Sequence, residues 1–197
     1  MLKRSFDIVS SLLGLFLLLP LFFLIGIWIR FDSRGKIFYR QLRVGRHGKD
    51  FFLIKFRTMK IGADNGGLLT IGGRDPRITS SGYFLRKYKL DELPQLLNVI
   101  FGEMSLVGPR PEVRKYVNKY TPEQLQVLYV RPGITDYASI KFSNENELLA
   151  KAPDPERFYV NEVMPEKLRL NLRYIHEQSF ITDLKIILQT IAKVSGK

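Results

Sequence analysis

The chain has no cysteine. That excludes disulfides, thiolate nucleophiles and cysteine-ligated zinc together. Histidine is scarce: His47 and His176 stand far apart, without metal-ligand spacing. A histidine-based catalytic triad is therefore disfavoured. Internal repeats and low-complexity tracts are missing. No recognition-helix, zinc-finger or RNP pattern accompanies the +12 formal charge, so a nucleic-acid partner is not expected.

Charge is also missing from one long stretch. Ile8 to Ile29 reads IVSSLLGLFLLLPLFFLIGIWI, with Pro20 near its middle. Roughly 20 apolar residues suffice to cross a bilayer core as one helix. Pro20 has no N–H to donate, and its ring clashes with the carbonyl one turn back, so a kink or break is expected there. Lys3 and Arg4 precede the run, and Arg30, Arg34, Lys36, Arg40, Arg43 and Arg46 follow it. Basic residues favour the cytoplasmic side, yet here both ends are basic. Two geometries remain: a spanning helix kinked at Pro20, or a helix that breaks there and leaves by the face it entered. The run is too long for a typical signal-peptide core, and no small-x-small cleavage site follows it.

The basic excess sits beside this run. Residues 1–60 hold 12 Lys and Arg against three Asp, and the remainder is nearly balanced. Juxtamembrane charge of this kind is attracted to anionic headgroups by about 1 kcal/mol per residue. About 167 residues remain after the anchor, enough for one globular domain.

Patterning in that remainder predicts an α+β fold, mostly helical. Ile37 to Val44 and Phe51 to Met59 read as a β-hairpin closed by GRHGKD. Lys55 and Arg57 share one strand face, which is ordinarily a solvated one. Ile61 to Ser81 is a glycine-punctuated loop, long enough to suggest a functional role. Gly82 to Lys89 and Leu90 to Phe101 read as helices, the second with a stripe of Leu93, Leu96, Leu97 and Ile100. Helices are also expected over Glu112 to Tyr120, Pro122 to Tyr129, Asn144 to Ala152, Pro165 to His176 and amphipathic Thr182 to Val194. Arg131 to Phe142 reads as a turn into a strand-like run, and Pro153 to Val160 as a connection.

Asp91 and Glu92 are adjacent carboxylates at the start of a helix, with Pro94 in its first turn. Capping alone explains such a pair, and the helix N-terminus would keep both ionised. Their company suggests more. Arg86 lies shortly before them, Arg110 stands between Pro109 and Pro111, and Arg131 precedes a Pro–Gly turn. Arginine suits bidentate phosphate recognition. Mg²⁺ takes one or two carboxylates when substrate phosphates complete its shell. An aspartate can also act as a nucleophile.

KFRTM (Lys55 to Met59), LDELPQLLNV (Leu90 to Val99), GEMSLVGPRPE (Gly102 to Glu112) and RPGIT (Arg131 to Thr135) stand in order along nearly the whole chain. In these motifs the sequence resembles the small, monotopic phosphoglycosyl transferases among the bacterial sugar transferases. The resemblance implies a re-entrant membrane helix broken at Pro20 (residues 1–35) and a membrane-seated catalytic domain (residues 36–197). It implies transfer of a sugar 1-phosphate from a UDP-sugar to a polyprenol phosphate, usually undecaprenyl phosphate, with release of UMP. Asp91 would form a covalent phosphosugar intermediate. Glu92, with Asp91, would hold Mg²⁺. Lys55, Arg57, Arg86, Arg110 and Arg131 would face the diphosphate. The setting implied is the cytoplasmic face of a bacterial inner membrane, among phospholipids, at the first membrane step of surface glycan synthesis such as capsule or exopolysaccharide. The sugar and the oligomeric state stay open.

Two departures stand out. The family commonly has Ser–Pro at the break, where this chain has Leu19–Pro20. RPGIT continues with Asp136–Tyr137–Ala138–Ser139 rather than Gly, an aromatic or aliphatic residue, then Ala–Gln. A competing reading is a non-catalytic, membrane-anchored binder of anionic lipid or nucleotide sugar.

Overall fold

One helix, α1 (Leu2–Asp32), takes up the whole apolar run. At 1.5 Å per residue it is about 46 Å long. Pro20 lies inside it, and the helix continues on both sides without a non-helical gap. The expected division into two helical pieces is therefore not seen. The proline deletes one N–H donation to Phe16, while the flanking ladder persists. One long face carries Leu12, Leu13, Phe16, Leu17, Phe23 and Leu24 outward, all more than half exposed. In the computed structural model, which describes residues 2–63, 67, 69–72 and 75–196, this is the one helix long and apolar enough to cross a membrane.

Both ends of α1 are fixed to the rest of the chain. At its start, Lys3 Nζ lies 2.5 Å from Asp183 Oδ2. Arg4 donates to the carbonyls of Val99 (2.8 Å) and Met104 (3.3 Å). Buried Asp7 accepts from Ser105 Oγ at 2.7 Å. At its end, Asp32 accepts from both the N–H and the hydroxyl of Ser81, at 2.9 and 2.8 Å. Ile25 and Ile29 are buried against Phe56 and Leu85. Each such side chain contributes about 2 kcal/mol when fully removed from water.

The hairpin forms as expected. β1 (Phe38–Val44) pairs antiparallel with β2 (Asp50–Phe56), with Tyr39 opposite Lys55. Phe51, Leu53 and Lys55 alternate onto one face of β2, and Phe51 and Leu53 are buried against Val99 and Met104. Lys55 therefore points inward, not to a solvated face. After the loop, α2 (Ser80–Lys87) is capped by the Thr79 hydroxyl, which accepts from Gly82 N. Gly66 and Gly73 of the expected loop lie outside the described residues.

The expected helix from Leu90 to Phe101 is two pieces: a tight 3₁₀ turn (Leu90–Glu92) and α3 (Gln95–Ile100). Pro94, lacking an N–H, marks the junction. A second, parallel pair joins β3 (Ser105–Val107) to β4 (Gly133–Thr135). Between them lie α4 (Arg114–Val117) and a 3₁₀ stretch (Gln124–Tyr129), both shorter or tighter than the two helices expected there. The strand-like run after Arg131 ends at Thr135, and α5 (Tyr137–Lys141) comes next. Asp136 turns the chain, because its carboxylate accepts from Ser139 N and so caps α5.

α6 (Glu145–Ala150), α7 (Pro155–Phe158), one π-helical turn (Tyr159–Val163), α8 (Met164–Glu177) and α9 (Phe180–Ser195) complete the chain. The expected connection at Pro153 to Val160 thus begins a helix, started by Asp154 as cap and Pro155 in its first turn. Val113, Tyr116, Val127, Tyr159 and Leu168 form the largest buried cluster.

The approach of Gly108 to Gly133, at the end of the β3–β4 pair, is among the closest backbone contacts in the fold. A Cβ on Gly133 would lie 2.1 Å from the Gly108 nitrogen, well inside any allowed approach. Gly133→Ala is expected to force the two backbones apart and to lower the melting temperature by about 5–10 °C, the effect of overpacking by a few kcal/mol. Thermal unfolding of the detergent-solubilised protein measures this, and an unchanged melting temperature would mean that the strands separate freely.

Candidate active site

A cavity of about 2010 Å³ opens between the hairpin, the Leu90–Glu92 turn, α5 and α8. Lys55, Arg86, Asp91, Glu92 and Arg110 all line it. Each arrives from a different local device. Lys89 adopts the left-handed conformation (φ 56°), uncommon for a residue with a Cβ, and swings the chain from α2 into the dyad's turn. Behind that turn, buried Asn98 locks α3 onto β2. Its Oδ1 accepts from Ile54 N at 3.0 Å, and its Nδ2 donates to the Phe52 carbonyl at 2.8 Å. This clamp sets β2 beside the dyad, where Lys55 Nζ lies 3.8 Å from Glu92 Oε1.

Arg110 comes from the rigid Pro109–Pro111 segment. Its N–H donates to Asp136 Oδ2 at 3.0 Å. Its guanidinium grips Glu92 as a fork, with Nη1 3.0 Å from Oε2 and Nη2 2.5 Å from Oε1. Arg86 donates to the hydroxyls of Thr58 (3.0 Å) and Thr70 (3.2 Å). It also feels the Asp91 charge.

The two neighbouring carboxylates differ sharply. Asp91 is buried, and its Oδ1 has no hydrogen-bond partner among the described residues. Burial, then the adjacent Glu92 charge, pushes its pKa up, against Lys55, Lys89 and Arg86. A helix N-terminus does not keep it strongly ionised, contrary to the sequence-based expectation. Glu92 is buried too, but Arg110 and then Lys55 outweigh that penalty and hold it well below the usual carboxylate range. In return, Glu92 holds Arg110 above its ordinary value. Burial brings Lys55 down to about 8, despite Glu92 opposing the shift. One carboxylate is thus a fixed anion locked in an ion pair, and the other, on a residue that lines the cavity, keeps one buried oxygen unengaged.

Two expected site residues are engaged by backbone carbonyls: Arg57, which also lines the cavity, and Arg131, which does not. The Arg57 guanidinium is buried under α1 and donates to the carbonyls of Arg34 (2.6 Å) and Ser33 (2.7 Å). It closes the C-terminus of the apolar helix, where free carbonyls attract a cation. Arg131 donates to the Gly102 carbonyl at 2.9 Å, at the end of α3 opposite the dyad. Sequence reasoning missed Asn98, Asp136 and Asp7. A lone acid just before an apolar run was the available signal for Asp7. The cap at Asp136 was hidden because residues 136–142 read as a strand.

No group of three or more His, Asp or Glu side chains gathers to bind a metal among the described residues. Mg²⁺ needs fewer when phosphates supply the rest. The Asp91 carboxylate, beside an ionised Glu92, suits that smaller share.

The sequence matches the bacterial sugar transferase family over residues 1–197. The chain belongs to that family. It is 34% identical over 199 residues to the UDP-glucose:undecaprenyl-phosphate glucose-1-phosphate transferase of Xanthomonas campestris pv. campestris, covering 99% of this chain and 39% of that protein. It is 38% identical over 197 residues to the sugar transferase EpsL of Bacillus subtilis, covering 98% and 87%. It is 34% identical over 209 residues to the exopolysaccharide production protein ExoY of Rhizobium meliloti, covering 98% and 85%. The chain therefore spans about two fifths of the Xanthomonas protein and most of the two smaller relatives.

The cationic rim of the site has a pH signature. Lys55 is charged below about pH 8 and loses its proton as pH rises through that value. Above it, binding a diphosphate must take up a proton, so affinity for UDP should fall about tenfold per pH unit. Lys55→Arg, which stays charged, should flatten the fall. Calorimetric titration with UDP between pH 7 and 9.5 tests this, and a flat wild-type profile would remove Lys55 from the phosphate site.

Proposed function

We propose that this sugar transferase moves a sugar 1-phosphate from a UDP-sugar to a polyprenol phosphate, releasing UMP. Undecaprenyl phosphate is the acceptor in the name of the Xanthomonas relative. The observation that carries the reading is the asymmetry of the dyad. Asp91 presents a buried, unpartnered carboxylate oxygen to a cavity rimmed by Lys55, Arg86 and Arg110. Glu92 is occupied by the Arg110 fork, so Asp91 is the nucleophile of the two.

In the first step Asp91 Oδ1 attacks the β-phosphorus of the UDP-sugar. The bond from that phosphorus to the bridging oxygen breaks, and UMP leaves with the electron pair. An acyl-phosphate sugar remains on Asp91. In the second step a phosphate oxygen of the polyprenol phosphate attacks the same phosphorus, and the Asp91 carboxylate is released. Splitting the reaction in this way lets two substrates use one site in turn. Lys55, Arg86 and Arg110 stabilise the negative charge of the diphosphate. Mg²⁺, held by Glu92 and Asp91, would neutralise part of that charge.

Membrane placement follows from how α1 is tied. A spanning helix would put its ends on opposite sides of the bilayer. Here one polar body binds both ends, through Asp183 and Ser105 at one and Ser81 and Arg57 at the other. This supports a monotopic arrangement at the cytoplasmic face of the inner membrane. In this reading residues 1–35 form a membrane segment that enters and leaves by one face as a continuous helix carrying Pro20, and residues 36–197 form a catalytic domain seated on the bilayer.

UMP release by the detergent-solubilised protein, with Mg²⁺ and undecaprenyl phosphate across a panel of UDP-sugars, tests the reaction. Asp91→Asn should lower turnover at least about 10³-fold while the protein stays membrane-bound. Near-normal rates in that variant would reassign the nucleophile. Binding of UDP-sugars without UMP release would favour a silent binder instead. Because the sequence has no cysteine, single substitutions report topology cleanly. Ser5→Cys and Lys36→Cys should both react with an impermeant maleimide from the cytoplasmic side only, and labelling of one from each side would establish a spanning helix.

A further inference from the structure

The residues lining the cavity fall into two chemically distinct sets. Lys55, Arg86 and Arg110 accompany the dyad in one. The other, a neutral lobe, comprises Ser139 of α5, Phe142 and Ser143 just past its end, Lys167, Leu168 and Asn171 of α8, and Glu145. Lys167 is neutralised by Glu145, at 2.9 Å. This lobe therefore offers hydrogen bonds without net charge.

Two of its polar atoms are unpartnered. Asn171 is 4% exposed, and its Oδ1 has no hydrogen-bond partner among the described residues. Ser139 Oγ is buried and likewise without one. Buried polar atoms normally find partners, so orphans facing a cavity point to groups that a ligand supplies. Whether the amide presents oxygen or nitrogen is immaterial to a hydroxyl, which both donates and accepts.

The two lobes are joined at one carboxylate. Asp136 Oδ2 accepts from Arg110 N at 3.0 Å, and its Oδ1 accepts from Ser139 N at 2.5 Å. A ligand whose phosphate lies on the Arg110 side chain thus has its next neutral group beside α5. In a UDP-sugar that group is the hexose.

We propose that Ser139 and Asn171 form the sugar subsite, hydrogen-bonding hydroxyl or acylamino groups of the transferred sugar and so setting which UDP-sugar is used. This rests on the transferase reading above. It makes Asn171 and Ser139 specificity-determining residues rather than parts of the phosphate machinery. It also predicts an unusual pairing of effects. One polar atom of each side chain is unpartnered without ligand, so removing it should spare the fold while weakening donor recognition.

The experiment compares wild type, Ser139→Ala and Asn171→Leu as full-length proteins in detergent. It reads melting temperature, UMP affinity, and KM and kcat for each UDP-sugar of the panel. The expected result is an unchanged or raised melting temperature, unchanged UMP affinity, and a loss of at least about tenfold in kcat/KM for the preferred donor. The preference among sugars should narrow at the same time. Ser139→Ala, the smaller change, decides the matter if Asn171→Leu fails to fold. Wild-type turnover with donor selectivity unchanged in the variants would overturn the subsite alone. So would an equal loss of UMP and UDP-sugar affinity, which would assign the residues to cavity shape. A wild type that binds UMP but releases none from any donor would overturn the transferase reading, and the subsite with it.

Discussion

An apolar helix bound at both ends by one polar body is the constraint on which the rest of this fold depends. Lipid is the natural solvent for the outward face of α1, with its exposed Phe16, Leu17, Phe23 and Leu24. Water is the natural solvent for the charged remainder of the chain. Lys3, Arg4 and Asp7 at one end, and Asp32 with Arg57 at the other, reconcile the two. Each of these contacts pairs a charge or closes a set of helix-end carbonyls that would otherwise be stranded near lipid. Because α2 and α3 pack along the same helix, the dyad between them sits close to the lipid boundary.

The site achieves its polarity by unequal treatment of like groups. Glu92 is neutralised by a bidentate guanidinium and keeps its charge at any physiological pH. Burial and that fixed charge raise Asp91, while Lys55, Lys89 and Arg86 act against the shift. The same burial that leaves Asp91 Oδ1 unpartnered brings Lys55 down to about 8. Asp91 and Lys55 are therefore both shifted chiefly by one feature, their depth below the surface.

Much of this was legible in the sequence, where period and chemistry act locally. The apolar run, the hairpin, α2, α8 and α9 follow from periodicity and turn residues, with ends displaced by a few positions. The cluster of Lys55, Arg86, Asp91, Glu92 and Arg110 was foreshadowed by motif chemistry. What escaped was decided by tertiary partners. Arg57 and Arg131 have the residue type for phosphate, but helix-end carbonyls compete for guanidinium equally well. The short helices around Asp136 and Asp154 begin at side-chain caps, and the hydrophobic pattern does not register those. Asn98 looked like one more polar residue on a helix. It became the clamp between α3 and β2 only because β2 left an N–H and a carbonyl for it.

The close passage of Gly108 and Gly133 has a further consequence, for how such a chain can diversify. Neither position tolerates a side chain, so the spacing between Arg110 and the segment carrying Asp136 and Ser139 is set by bare backbone. Substitutions on α5 and α8 therefore change side chains around a backbone spacing that they cannot alter.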